Sequence, residues 1–166
     1  MGVTLLLWGS TTSAANSVTL SQAQLGNIFL TTDTVQIPVQ TTGDHVTWTA
    51  TDFFGNVTTG PTVAVTNGQA TLTPNLGQLG YFDLVVTALS GGSPVASAET
   101  TFAVVAPSPG TASTMHDSPF GLCTHFAQGW PTDIMQVMTR GGIAQFRDEQ
   151  YWQNVEPTLA VPPTYT

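Results

Sequence analysis

The side chains able to do chemistry are few, and most stand in the last third of the chain. Cys123 and His125 are two residues apart, and no second cysteine exists. A zinc site would need further thiolate or imidazole ligands, so that pair makes a poor metal centre. It makes an equally poor nucleophile and base, and Cys123 reads as a small hydrophobe on a buried strand. His45 and His116 add no ligand spacing. No metal and no cofactor is expected. Asp148 and Glu149 are adjacent carboxylates. Successive strand side chains point to opposite faces, so these two cannot flank one bond from the same strand. Each reads as a loop acid or a supporting contact. Glu156, before Pro157, reads as a structural residue of a turn. Asn56-Val57-Thr58 has the form of a glycosylation acceptor, a pattern short enough to arise by chance.

Two regions of different period must position these residues. Residues 17–106 alternate as strands do. Val35, Ile37 and Val39 share one face, with Gln36 and Pro38 opposite. Pro38 cannot donate to a ladder, which argues for an edge strand. In His45–Thr51, Val46, Trp48 and Ala50 form the apolar set. Asp52-Phe53-Phe54-Gly55-Asn56 supplies turn chemistry. Asn67-Gly68 fits a two-residue type I′ turn, placing Thr66 opposite Gln69, Val65 opposite Ala70 and Val63 opposite Leu72. Phe82, Leu84, Val86 and Ala88 share a face of Gly80–Leu89. Gly91-Gly92 turns the chain into a last strand, Val95–Val105. About seven short strands without a helix read as an immunoglobulin-like β-sandwich. The missing cysteine pair excludes the antibody variant alone.

Residues 107–117 are a linker by composition, with Pro, Ser, Gly and Thr dominant. In residues 118–166 the period changes. Phe120–Phe126 is a short apolar stretch. Trp130-Pro131 opens a helical pattern with Ile134, Val137 and Met138 at i, i+3 and i+4. Pro131 suits a first-turn position and Asp133 the N-terminal dipole. Arg140 followed by Gly141-Gly142 gives a cationic last turn and a glycine cap. Ile143–Arg147 is a further strand. Strand, helix, strand makes one βαβ unit. A parallel sheet is buried on both faces, so this unit is expected to be the front of a longer protein. An eight-fold barrel would need six further βα units.

Charge narrows the partners. The chain of 166 residues carries 10 acids against 2 arginines and no lysine, for a net charge of −8. Both arginines, Arg140 and Arg147, lie near the end. No basic face exists to neutralise phosphates, so nucleic acid is excluded as a partner, as are anionic membrane surfaces. No run reaches transmembrane length, so membrane insertion is not expected. A 41% hydrophobic, 7% charged composition builds a core rather than a disordered chain. At the N-terminus, residues 1–16 hold the apolar run Val3–Trp8 followed by small residues. That segment reads either as a signal-peptide remnant lacking its basic start or as a chance apolar beginning.

Three strings in the second region resemble clan A glycoside hydrolases, especially family 39-like and related family 5-like enzymes. Ser118-Pro119-Phe120-Gly121-Leu122-Cys123-Thr124-His125-Phe126 resembles their first barrel strand. Gly141-Gly142-Ile143-Ala144-Gln145-Phe146-Arg147-Asp148-Glu149 resembles their second strand. Tyr151-Trp152-Gln153-Asn154-Val155-Glu156-Pro157 resembles the element that follows it. The resemblance covers residues 118–157. It implies a TIM barrel that hydrolyses glycosidic bonds with retention, using two glutamates about 5 Å apart. In such enzymes these glutamates end the fourth and seventh strands, so neither falls in this chain and no catalytic residue is assigned.

Under that resemblance Arg147 emerges at the C-terminal end of a barrel strand, where its fork would hold a catalytic carboxylate. Its plain alternative is a surface salt bridge. His125 ends the first strand, either to bond a sugar hydroxyl or as a satisfied polar residue. Trp130 offers a stacking face for a sugar, or packs; Trp152 packs. The expected substrate-binding residues are thus Arg147, His125 and Trp130. The expected function is the N-terminal part of a secreted retaining glycosidase acting on polysaccharide or oligosaccharide, inactive alone, with the sandwich docked on the barrel. The alternative is a carbohydrate-binding or structural, adhesive sandwich. Trp48, Phe53, Phe54 and Tyr81 are its candidate aromatics, and Phe53-Phe54 cannot readily both be buried in a turn.

Overall fold

The computed structural model describes residues 15–110 and 119–155. The protein is mostly β. Its strands are β1 (Val18–Leu20), β2 (Ile28–Leu30), β3 (Ile37–Thr41), β4 (His45–Asp52), β5 (Val57–Thr59), β6 (Val63–Ala64), β7 (Gln69–Leu72), β8 (Gly80–Ser90), β9 (Ser93–Val105), β10 (Leu122–Cys123) and β11 (Phe146–Arg147). Helix α1 (Ile134–Arg140) joins the last two strands, and α2 (Trp152–Val155) follows them. Residues 1–14 of the expected signal remnant, the linker from residue 111, His116, Glu156 and the side chain of Trp152 lie outside the described residues.

The first nine strands form two sheets. One is antiparallel, in the order β1-β3-β7. The other runs β2-β9-β8-β4-β5, with β6 also paired to β4. Only β2 and β9 in it are parallel. The expected alternation holds on the inward faces. Val46, Trp48 and Ala50 of β4 and Phe82, Leu84, Val86 and Ala88 of β8 are buried. They share one core with Ile37 and Val39 of β3 and Leu72 of β7. Two sheets closed over one core are consistent with a β-sandwich. Phe82 stacks on Phe102 of β9 with centroids 5.0 Å apart. Burying each such side chain stabilises the fold by about 1.5–3 kcal/mol.

Gly60 leaves room for the largest of these residues. A Cβ there would overlap the Trp48 indole. The Gly60 N–H also donates to the Trp48 carbonyl at 3.1 Å. The indole therefore lies directly over the backbone that follows β5.

Three expectations need correction. Pro38 is not on an edge strand, because β3 is the central strand of its sheet. Its carbonyl accepts Ser21 N–H at 3.1 Å, just past the end of β1. In a strand, N–H and C=O of one residue point to the same side, so the position without an N–H faces Ser21, where the β1–β3 ladder ends. The Asn67-Gly68 turn is type I′, with φ of 52° and 76° and the Thr66–Gln69 pair closed at 2.9 and 3.0 Å. The hairpin then splits. Val65 N–H goes to Asp44 O at 2.9 Å, β6 pairs with β4, and β7 pairs with β3. Val63 lies opposite Val46, not Leu72. The turn carries the chain from one sheet to the other, so the two arms cannot stay paired. Finally, among the described residues nine strands rather than about seven precede residue 106.

After the linker, β10 and β11 pair in parallel, Leu122 with Phe146 and Cys123 with Arg147. Each is two residues long, shorter than the apolar stretches suggest. Leu122 and Phe146 are 43% and 47% exposed. Cys123 is exposed too, which corrects its reading as a buried hydrophobe. Helix α1 buries Met138 and ends in a Schellman motif. Gly142 N–H donates to Thr139 O at 3.0 Å and Ile143 N–H to Met138 O at 2.9 Å, with Gly142 at φ 74°. The last carbonyls are thus already satisfied. Arg140 turns away from them and reaches the first sheet region, donating to Ile28 O at 3.2 Å and Asp33 Oδ2 at 2.9 Å.

Candidate functional site

The C-terminal ends of the parallel strands gather the polar side chains of the second region. Thr124, buried just after β10, donates its N–H to Arg147 O at 2.8 Å. The chain then reverses. His125 O accepts Gln128 N–H at 2.9 Å and Trp130 N–H at 3.2 Å, with Gly129 at φ 95° making the bend. This reversal brings Trp130 against His125, edge to face, with ring centroids 5.0 Å apart. Trp130 remains 46% exposed.

The loop after β11 closes the other side. Asp148 Oδ2 accepts Ala127 N–H at 2.9 Å and so ties the two strand-end loops together. Burial pushes its carboxyl up, but the N–H groups of Ala127 and Glu149 and the Thr124 hydroxyl outweigh that and hold it below the usual range. It is an acceptor at neutral pH. Tyr151 donates its hydroxyl to Gln128 Oε1 at 3.4 Å and is half exposed. Two atoms in this cluster are buried and have no hydrogen-bond partner among the described residues: Nδ1 of His125 and Oδ1 of Asp148.

The structure therefore brings His125 and Trp130 together and leaves Arg147 beside them only through its backbone. The Arg147 guanidinium is 77% exposed and donates to Glu149 Oε1 at 2.9 Å. That is the surface salt bridge weighed against its functional role. Asp148 and Glu149 take separate partners, as adjacent strand-end acids must. Tyr151 and Gln128 join the cluster without having been singled out. Gln128 carries no spacing signal, and Tyr151 was legible only as part of a longer string.

Elsewhere, Trp48 is core, whereas Phe53, Phe54 and Tyr81 are exposed. His45 Nδ1 lies 3.0 Å from Asp44 Oδ1. Asn56, of the acceptor triplet, donates Nδ2 to Asp52 Oδ2 at 2.8 Å. Among the described residues no three His, Cys, Asp or Glu side chains gather as metal ligands, and no helix is long and apolar enough to cross a membrane. The strand-end cluster offers one ionised carboxylate, an imidazole, a phenol and an indole face. Those groups suit holding a neutral hydroxylated ligand; cleaving a glycosidic bond takes a second, opposed carboxyl group. Comparison with protein-family models and with curated proteins finds no match for the chain.

Proposed function

We propose that residues 119–155 open the (β/α)8 barrel of a secreted, retaining glycoside hydrolase, and that the nine-stranded region is its immunoglobulin-like accessory sandwich. The observation that carries this reading is the parallel pairing of β10 with β11 across α1, with His125, Trp130 and Asp148 gathered at the strands' C-terminal ends. Barrel active sites are built at that end. A parallel pair with exposed Leu122 and Phe146 gains most from further strands beside it. In this reading Trp130 offers its half-exposed indole face to a sugar ring, with His125 set against that indole edge to face. Arg147, now paired with Glu149, would swing to a catalytic carboxylate supplied by a later strand. The Arg140 contact with Asp33 and Ile28 supports a sandwich docked against the barrel.

Two measurements test the reading. The 166-residue chain is expected to leave aryl glycosides intact, because it lacks the paired glutamates; measurable turnover would overturn the assignment. The reading frame downstream of residue 166 is expected to encode about 250 more residues, with an Asn-Glu pair at a fourth-strand end and a later strand-end glutamate. A stop codon directly after residue 166 would overturn the barrel.

A non-catalytic, adhesive sandwich is the second reading. Phe53 and Phe54 favour it, being 82% and 86% exposed. Their rings meet edge to face at 86°, so they offer no single flat platform for a sugar.

A further inference from the structure

The acceptor triplet Asn56-Val57-Thr58 follows directly on a fixed and exposed turn. Asp52 N–H donates to Asn56 O and Gly55 N–H to Asp52 O, both at 3.0 Å, and Gly55 takes φ 85°. That is a type I turn followed by one left-handed residue, a three-residue hairpin loop between β4 and β5. Asp52 Oδ1 accepts the N–H groups of Phe54 and Asn56 at 2.9 and 2.8 Å, which holds the loop in place. Every residue from Phe53 to Thr59 is exposed. Among the described strands β5 pairs with β4 alone, so its other edge stands open. The whole triplet is therefore within reach of a modifying enzyme. No other Asn-X-Ser/Thr triplet occurs in the chain.

Two features bear on Asn56 itself. Its side-chain amide carries two N–H donors. One goes to Asp52 Oδ2 at 2.8 Å, and among the described residues no acceptor takes the other. The amide can thus exchange one proton for a new bond and still donate to Asp52. The second feature is Phe54, two residues earlier, with its Cα at most about 7 Å from that of Asn56. Its ring is 86% exposed and meets Phe53 edge to face. Such a contact covers one face of a ring at most, so Phe54 keeps a bare phenyl face near the amide.

We propose that Asn56 is an N-glycosylation site whose first sugar, an N-acetylhexosamine, lies with its apolar C–H face on the Phe54 ring. The donor is a polyprenyl-diphosphate-linked oligosaccharide. Asn56 Nδ2 bonds to C1 of the first sugar, the C1–O bond breaks, and its electron pair leaves with the diphosphate. The proton released from Nδ2 goes to the transferase. Phe53 and Phe54 give no common platform for a free glycan, but a tethered sugar needs only one ring, because attachment supplies a high effective concentration. Covering the bare face removes apolar surface from water. An N-acetylhexosamine is neutral, so the net charge of −8 does not oppose it. Use of the site in the cell rests on the proposed secretion, and on neither the barrel nor its activity.

The folded 166-residue chain, incubated with an oligosaccharyltransferase and polyprenyl-diphosphate-linked chitobiose, tests this by intact mass and peptide mapping. The parent is expected to gain one chitobiose, at Asn56, and Thr58→Ala none. The modified parent should melt about 2–4 °C above the unmodified chain. Phe54→Ala should accept the sugar but lose that rise, together with the upfield ring-current shift of the sugar protons in the NMR spectrum. Phe54 and Thr58 are exposed, so both variants should fold. An unmodified parent, modification that survives Thr58→Ala, no rise in the modified parent, or a rise that Phe54→Ala keeps would overturn the proposal. So would native chain recovered from the culture medium with Asn56 bare. Native chain confined to the cytoplasm would overturn the secretion instead, and with it the site's use in the cell. Aryl glycoside turnover and the downstream reading frame, which test the barrel, are blind to all of these outcomes.

Discussion

At the scale of single residues, two positions carry opposite kinds of consequence. Gly60 is a packing requirement. Gly60→Ala forces the Trp48 indole to move or the backbone after β5 to bend, and such overpacking destabilises by about 1–3 kcal/mol. A lowered urea midpoint with an altered Trp48 fluorescence maximum would report it. Trp130 is a ligand question instead. Under the proposed function, Trp130→Ala should weaken binding of soluble cello-, xylo- or manno-oligosaccharides about tenfold, roughly what one lost stacking contact contributes. Arg147→Ala should change it little in this chain, because the guanidinium is spent on Glu149. Titration calorimetry separates the two. If both variants bind like the parent, the strand-end cluster is not a sugar site.

At the scale of elements, the Arg140–Asp33 contact couples α1 to the first sheet region. Replacing Arg140 with Met keeps helix propensity and stem packing but removes the guanidinium. Hydrogen exchange should then quicken in α1 while β8 and β9 stay protected, with a stability loss of about 1 kcal/mol for a partly exposed pair. Equal quickening everywhere would deny that α1 opens as a separate unit. What was legible in the sequence follows the same division. Alternation marked the inward faces of β4 and β8 because burial there depends on local period alone. The Asn67-Gly68 turn was legible because its backbone needs two positive φ angles. The fate of its two arms was not, since pairing with β4 or β3 is decided by strands distant in sequence. Pro38 misled for the same reason, a local rule overridden by where β1 stops. In the strand-end cluster, the closeness of His125 and Trp130 depends on a reversal at Gly129 that no hydrophobic period encodes.

At the scale of the whole molecule, acid is the expected denaturant. Asp33 is held below the usual carboxylate range by Leu30 N–H and by Arg140, and Asp44 by Gly91 N–H and His45. Asp52 is held low by the Asn56 side chain and backbone, and Asp148 by its N–H donors despite burial. A carboxylate lowered by folding stabilises the native state fully above its unfolded value, near 3.8 here, and loses that contribution as pH falls through the folded value. Stability should therefore be flat in these groups from neutrality down to about pH 4 and fall below it. Asp33→Asn should flatten part of that fall in a pH series of urea melts, and an unchanged slope would show that its partners do not act in solution.

The one parallel pairing in the larger sheet bears on mechanics. β2 and β9 run side by side in the same direction, from Ile28 beside Ala103 to Leu30 beside Val105. Once β1 has come away from β3, tension on the chain on either side of this region pulls β2 by its first residue and β9 by its last. Those points lie at opposite ends of the shared ladder, so the load shears every bond of the pair together instead of peeling them one by one. The β2–β9 ladder is thereby arranged to resist stretching along the chain direction.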